Sequence, residues 1–135
     1  MTDYGENFDR FIKIVEKLRS ENGCPWDKEQ SPASLKRYLL EETQEAIEAI
    51  TAKNHQQIKD ELGDILYLVV LLAQIHEEKA LFNMGEVIDA ITDKMIRRHP
   101  HVFSDEKIET VAELRKKWLE IKDIEKPSSI IPKKN

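Results

Sequence analysis

The stretch Ile65-Leu66-Tyr67-Leu68-Val69-Val70-Leu71-Leu72-Ala73 does more than any other to limit what this chain can fold into. It lies inside a segment that reads as one helix from about His55 to Lys79, opened by Asn54 with Gln57 three residues on, a capping-box pattern. A helix that is apolar all round has no face for water and is buried on every side. The run is too short to span a bilayer, so the burial has to come from protein. In a chain of 135 residues, few other elements are available to surround it. The expectation is therefore that a second copy of the chain covers part of it.

The remaining segments also read as helices. Phe8, Phe11, Ile12, Val15 and Leu18 follow helical spacing over about residues 6–20, and Asn22-Gly23-Cys24-Pro25 ends that pattern. Ser31-Pro32 is a cap followed by a first-turn proline, predicting a helix from Pro32 to about Ala52. Asn83 and Glu86 open another, with Phe82 and Val87 as a candidate staple, and it stops near His99 before Pro100. Thr110 and Glu113 open a last one carrying Val111, Leu114, Trp118 and Ile121. Only 4 glycines and 5 prolines, with 35% charged and 7% aromatic residues, agree with an all-α chain. One domain over residues 1–126 and a disordered tail over 127–135 are expected. No strand-period segment and no repeat is present.

Several function classes drop out. A net charge of −5 argues against general nucleic-acid binding. The polar, acidic first residues are no signal peptide, so a soluble cytoplasmic protein without membrane contact is the expectation. Cys24 is the sole cysteine, which excludes an intrachain disulfide and a Cys-rich zinc site; a small buried thiol is expected there.

Carboxylates in the wrong place carry the chemistry. On a helical wheel, Leu35, Leu39, Ala46, Ala49 and Ile50 define an apolar arc. Glu42 falls near its centre, Glu45 on its edge, and Glu41 just outside. A core-facing glutamate is costly without compensation. The next helix repeats the anomaly, because Glu61 and Asp64 share a stripe with Leu68 and Ile75. Gly63, between them, implies a close approach by another helix or a ligand. Helices joined by a short turn pack antiparallel, which brings the two acidic pairs face to face. Acidic pairs at this spacing usually lie on solvated faces, but two pairs on apolar stripes of adjacent helices point to a cation. All-oxygen ligands suit Mg²⁺, with Mn²⁺ as a substitute. Glu-x-x-His and His-Glu-x-x-His are both absent, which removes di-iron bundles and zincins.

Further along, Val87 and Ile91 define an inner face that Lys94 and Arg98 continue, with Arg97 to one side. These cations either complement the helix dipole or grip phosphate oxygens. His99 and His101, flanking Pro100, read as loop or cap residues.

Gly23-Cys24-Pro25-Trp26-Asp27-x-x-Gln30, Glu41-Glu42-x-x-Glu45 with Glu61-x-x-Asp64, and Asp93-Lys94-x-x-Arg97-Arg98-His99-Pro100-His101-Val102-Phe103 together resemble the MazG family of nucleotide pyrophosphohydrolases over about residues 20–125. The acidic motif alone is weak, while the ordered set is specific. Ser31-Pro32 departs from the family pattern, in which a Thr-His or similar pair often follows the Gln. The resemblance implies an antiparallel helical bundle completed by oligomerisation, and the all-apolar helix predicts an obligate homodimer or a dimer of dimers. It implies hydrolysis of a nucleoside triphosphate to monophosphate and pyrophosphate, in the service of nucleotide-pool cleaning. It carries metal-ligand roles onto Glu42, Glu45, Glu61 and Asp64, and nucleotide contacts onto Lys94 and Trp118. Tyr38, Arg97 and Arg98 join the candidate substrate contacts. Lys59 matches a basic family position but lies nearly opposite Glu61 on the wheel, so it serves a site only in another subunit. Glu41 is the candidate for orienting or deprotonating the attacking water, and Lys94 is its catalytic partner. Trp118 and Trp26 fit base stacking and plain core packing equally well. The rival readings are a narrower enzyme (dUTPase, dCTPase or phosphoribosyl-ATP pyrophosphohydrolase) and a non-catalytic helical interaction module.

Overall fold

The computed structural model describes residues 2–126; the tail from Pro127, expected to be disordered, lies outside them. Every regular element among the described residues is a helix: α1 (Tyr4–Arg19), α2 (Pro25–Glu29), α3 (Pro32–Thr51), α4 (His55–Glu78), α5 (Met84–Arg98), α6 (Pro100–Phe103) and α7 (Val111–Glu125). Five stand within about two residues of where periodicity and caps put them. The short helices α2 and α6 were not anticipated. Each begins on a proline, Pro25 or Pro100, whose fixed φ suits a first helical turn as well as it ends the helix before. The chain divides into two compact units, with the boundary after Val87 inside α5.

The caps explain the boundaries. The Ser31 hydroxyl accepts from the Ser34 amide at 3.1 Å, and the Ser34 hydroxyl accepts from the Ser31 amide at 2.9 Å, closing a reciprocal box at the start of α3. Asn54, Asn83 and Thr110 each accept from the amide three residues on, starting α4, α5 and α7. Asp3 does the same for Glu6, so α1 starts two residues earlier than its apolar pattern does. α3 and α4 end alike. Lys53 and Ala80 take left-handed backbones, both with φ of 56°. The amides that follow reach back to the Ala49 and His76 carbonyls at 3.2 and 3.0 Å.

α3 and α4 pack against each other through most of their length, and α1 packs on α4. The core of the first unit joins Val15, Leu35, Leu68, Val70, Leu71, Ala73, Ile75 and Met84, with Phe8, Phe11 and Ile12 against it. The all-apolar run of α4 is thus covered largely from within the chain over its later part. Its earlier part is less well covered: Leu66 is 38% exposed, and Leu62, just ahead of the run, is 58% exposed. No described helix is long and apolar enough to cross a membrane.

Candidate metal centre

Antiparallel packing of α3 on α4 brings the acidic residues together as the wheels predict. One carboxylate oxygen each from Glu42, Glu45 and Glu61 lies within 4.8 Å of the others. Glu61 is buried, Glu42 half-buried and Glu45 exposed, so the cluster runs from the helix interface out to solvent. Asp64 is exposed and outside that trio of oxygens, although its charge still reaches Glu42 and Glu61.

The electrostatics show strain. Burial, then the adjoining Glu61 carboxylate, then the charges of Glu45 and Asp64 push the Glu42 carboxyl up to about 7. Burial also raises Glu61, with Glu45 and Asp64 adding to the rise. Oε2 of Glu42 and Oε2 of Glu61 are both buried without a hydrogen-bond partner. Orphaned carboxylate oxygens are costly, and a hard cation satisfies them while cancelling the mutual repulsion. The donor set therefore fits Mg²⁺ or Mn²⁺, with Glu42, Glu45 and Glu61 as the residues that would hold it.

Around this cluster, the structure sorts the other candidates. Glu41 is exposed, on the outer side of α3. Tyr38, one turn before Glu42, is half-buried; its hydroxyl accepts from Arg37 at 2.7 Å, and its ring meets Trp26 edge-on at 5.3 Å. The Arg37 hydrogen bond holds the Tyr38 phenol below its usual range, with Trp26 adding to the effect. Trp26, Gln30, Ser34, Arg37 and Tyr38 line a hollow of about 540 Å³. Lys59 is exposed. Gly63 does not mark a close approach within the chain, since a Cβ built there meets nothing within 4 Å. Cys24 is half-buried and caps α2.

Lys94, Arg97, Arg98 and Trp118 belong to the second unit. Lys94 is half-buried there, but the expected inner face does not continue smoothly, because Ile91 is largely exposed. Arg97 Nε and Arg98 Nη2 both bind the Glu125 carboxylate, at 2.7 and 3.1 Å. Trp118 Nε1 donates to the Arg98 carbonyl at 2.5 Å, and its ring meets His99 edge-on. These three residues therefore fasten α7 to the end of α5 in this structure. His99 caps α6, and His101 lies within it.

Reading the sequence missed Arg19, Tyr67 and the burial of Asp27. Tyr67 is hidden by the apolar run around it, and Asp27 by its place in a short motif. Asp27 is buried, and its carboxylate accepts a hydrogen bond from the Tyr67 hydroxyl.

Comparison with known proteins gives one consistent answer. The sequence profile of the MazG nucleotide pyrophosphohydrolase domain matches residues 30–103. The chain is 47% identical over 126 residues to the nucleoside triphosphate pyrophosphohydrolase/pyrophosphatase MazG of Thermotoga maritima, covering 93% of this chain and 48% of that protein. It is 44% identical over 119 residues to the Escherichia coli nucleoside triphosphate pyrophosphohydrolase, covering 87% and 45%. The chain spans half or less of the length of the curated relatives it matches. The crystal structure of a mazG-related protein from Thermotoga maritima superposes with a TM-score of 0.70 at 30% identity, covering 85% of this chain and 98% of that one.

Proposed function

Because the chain belongs to the MazG nucleotide pyrophosphohydrolase family, we propose that it hydrolyses nucleoside triphosphates to nucleoside monophosphate and pyrophosphate with a divalent cation, Mg²⁺ or Mn²⁺. The observation that carries this reading is the trio of Glu42, Glu45 and Glu61 oxygens within 4.8 Å, with two of the carboxylates holding buried, unpartnered oxygens. Phosphoryl chemistry of this kind needs positioning and charge neutralisation more than covalent steps. A bound cation supplies that neutralisation.

The chain's own residues do the rest. Glu42, Glu45 and Glu61 would hold the cation, and Asp64, whose charge reaches Glu42 and Glu61, would be the fourth ligand. Glu41, solvent-facing beside these ligands, orients the water or takes its proton. Lys94 carries the positive charge for phosphate oxygens, since it is half-buried while Arg97 and Arg98 are engaged by Glu125. Use of Arg97, Arg98 or Trp118 by the substrate would require those bonds to exchange. The hollow beside Tyr38 and Trp26 supports Tyr38 as a substrate contact. Clearing unwanted nucleotides from the pool is the role this chemistry serves.

We further propose that a second copy packs against the apolar flank shared by α3 and α4, where Leu40, Ile47, Ile50 and Leu62 are each at least half exposed. On helical wheels these four project to the same side of the antiparallel pair, away from Glu45 and Asp64. Lys59, exposed and nearly opposite Glu61 on α4, would serve a site only in a neighbouring subunit.

The test is a panel of NTPs and dNTPs assayed with and without Mg²⁺, with pyrophosphate and phosphate measured separately. The expected result is metal-dependent pyrophosphate from at least one substrate. Phosphate and NDP as the sole products would overturn the reaction, and full activity in excess EDTA would overturn the metal role. A stable, active monomer in sedimentation at micromolar concentration would overturn the dimer.

A further inference from the structure

Arg19, Gly23 and Asp27 fasten the corner between α1 and α3, and the proposed reaction gives these three residues no role. A Cβ at Gly23 would lie 2.2 Å from the Leu18 carbonyl oxygen, so this turn closes against the end of α1 only with glycine. Arg19, its side chain 10% exposed, donates through Nη1 to the main-chain oxygens of Asp27, Lys28 and Gln30 at 2.7, 3.3 and 3.0 Å. The same guanidinium forks onto Glu78 at the end of α4, at 3.0 and 2.6 Å. The terminal carbonyls of α2 are thereby satisfied, and α2 is tied to both α1 and α4.

From this corner two side chains reach the helices that carry the acids. Asp27, 4% exposed, accepts from the hydroxyl of Tyr67, which stands three residues after Asp64 on α4. Trp26, its neighbour, packs edge-on against Tyr38, four residues before Glu42 on α3. Each contact falls one helical turn from a carboxylate of the proposed metal centre. An apolar pair would hold the two helices at less risk, because a buried carboxylate that loses its partner is strongly destabilising. What a carboxylate acceptor adds is a directional hydrogen bond that fixes one geometry. Burial and the Asp27 charge raise the Tyr67 phenol well above its usual range, so it stays protonated and always donates.

We propose that Asp27 is a positioning residue: through Tyr67 on α4, and through Trp26 against Tyr38 on α3, it sets the register in which Glu42 and Glu45 face Glu61 and Asp64. This rests on reading that cluster as a metal site. Groups hydrogen-bonded directly to metal ligands typically change affinity about 10–100-fold when altered; Asp27 and Tyr67 act one helical turn away, so the low end of that range is the ceiling here.

The experiment measures Mn²⁺ affinity by calorimetry and urea stability on the same folded samples. The variants are Tyr67→Phe, Asp27→Asn and, as a control for stability alone, Val70→Ala in the core of α4. Tyr67→Phe weakens Mn²⁺ binding several-fold, up to about tenfold. Asp27→Asn weakens it less, because the amide oxygen still accepts from Tyr67. Val70→Ala loses stability with Mn²⁺ affinity unchanged. If Tyr67→Phe does not fold, the double variant Asp27→Asn/Tyr67→Phe, which buries no unpaired charge, takes its place with the same expectation. Wild-type affinity in the Tyr67 variant, or affinity that falls equally in Val70→Ala, overturns the positioning role while leaving the metal site standing. Wild-type protein that binds no Mn²⁺ overturns the metal site and the positioning role together.

Discussion

Replacing Glu42 with glutamine should stabilise the metal-free protein, and only above a particular pH. The Glu42 carboxyl has an ordinary value of 4.5 and is pushed up to about 7 in the fold, chiefly by burial and then by Glu61, Glu45 and Asp64. A carboxyl raised in the folded state favours folding most below its unfolded value, where both states are protonated. As pH rises, the unfolded chain ionises first, and the fold loses stability until pH passes about 7. The gap between 4.5 and about 7, at about 1.4 kcal/mol per pH decade, caps the loss at about 3 kcal/mol. Glu42 is half-buried, with Glu45 and Asp64 exposed beside it, so solvent screening brings this down to about 1–2 kcal/mol. Glutamine keeps the shape, donates to Glu61, and carries no charge to repel it. Urea denaturation in EDTA, followed by circular dichroism from about pH 4.5 to about pH 8, measures the effect. The two proteins should be nearly equal at the acid end, with the variant ahead by about 1–2 kcal/mol at the other. Saturating Mg²⁺ should then reverse the order, because a cation at 100 times its Kd adds about 2.7 kcal/mol to whichever form binds it. A wild-type-to-variant difference that is flat across this range, or a metal-free wild type more stable than Glu42→Gln at pH 8, would refute the account of strain in the cluster.

Five other substitutions probe separate parts of the structure. Gly23→Ala should cost about 2 kcal/mol or more in urea unfolding, because the clash at 2.2 Å is with the rigid Leu18 carbonyl and relief needs the turn to move. Lys53→Gly and Ala80→Gly should each raise stability by about 0.5–1 kcal/mol, since both positions hold φ of 56°, which glycine adopts without strain. Asp64→Asn should weaken Mg²⁺ binding and abolish turnover with the fold intact, whereas Lys94→Ala should lower kcat/KM with Mg²⁺ affinity nearly unchanged. Calorimetric titration beside steady-state kinetics separates the two, and normal Mg²⁺ binding by Asp64→Asn would remove that residue from the ligand set.

How much of this was legible depended on whether a residue's role is local. Ser31, Asn54, Asn83 and Thr110 act on amides three residues away, and each announced its helix correctly. The facing of Glu42 and Glu45 toward Glu61 followed from two wheels and one short turn. Lys53 and Ala80 carry no signal because other residue types usually hold that backbone, although the caps that follow marked the stops anyway. Gly63 was misread, since its lack of a side chain meets open space within the chain. Arg97, Arg98 and Trp118 were placed on the right helices, yet their engagement by Glu125 and by the Arg98 carbonyl depends on pairings across 20–28 residues that no spacing rule reveals. Asp27 and Tyr67, 40 residues apart, were hidden for the same reason.

The gradient of burial along α4 has a consequence for how such a chain tolerates change. Its first turns carry Glu61, Asp64 and exposed neighbours, while its later turns carry Leu68, Leu71 and Ile75 in the core. Random substitutions in the later turns are felt as loss of folded protein in the cell. On the function proposed above, a substitution at exposed Asp64 would leave protein abundance intact and remove the chemistry. One helix would thus carry a stretch constrained mainly by the amount of folded protein and a stretch constrained mainly by the proposed site.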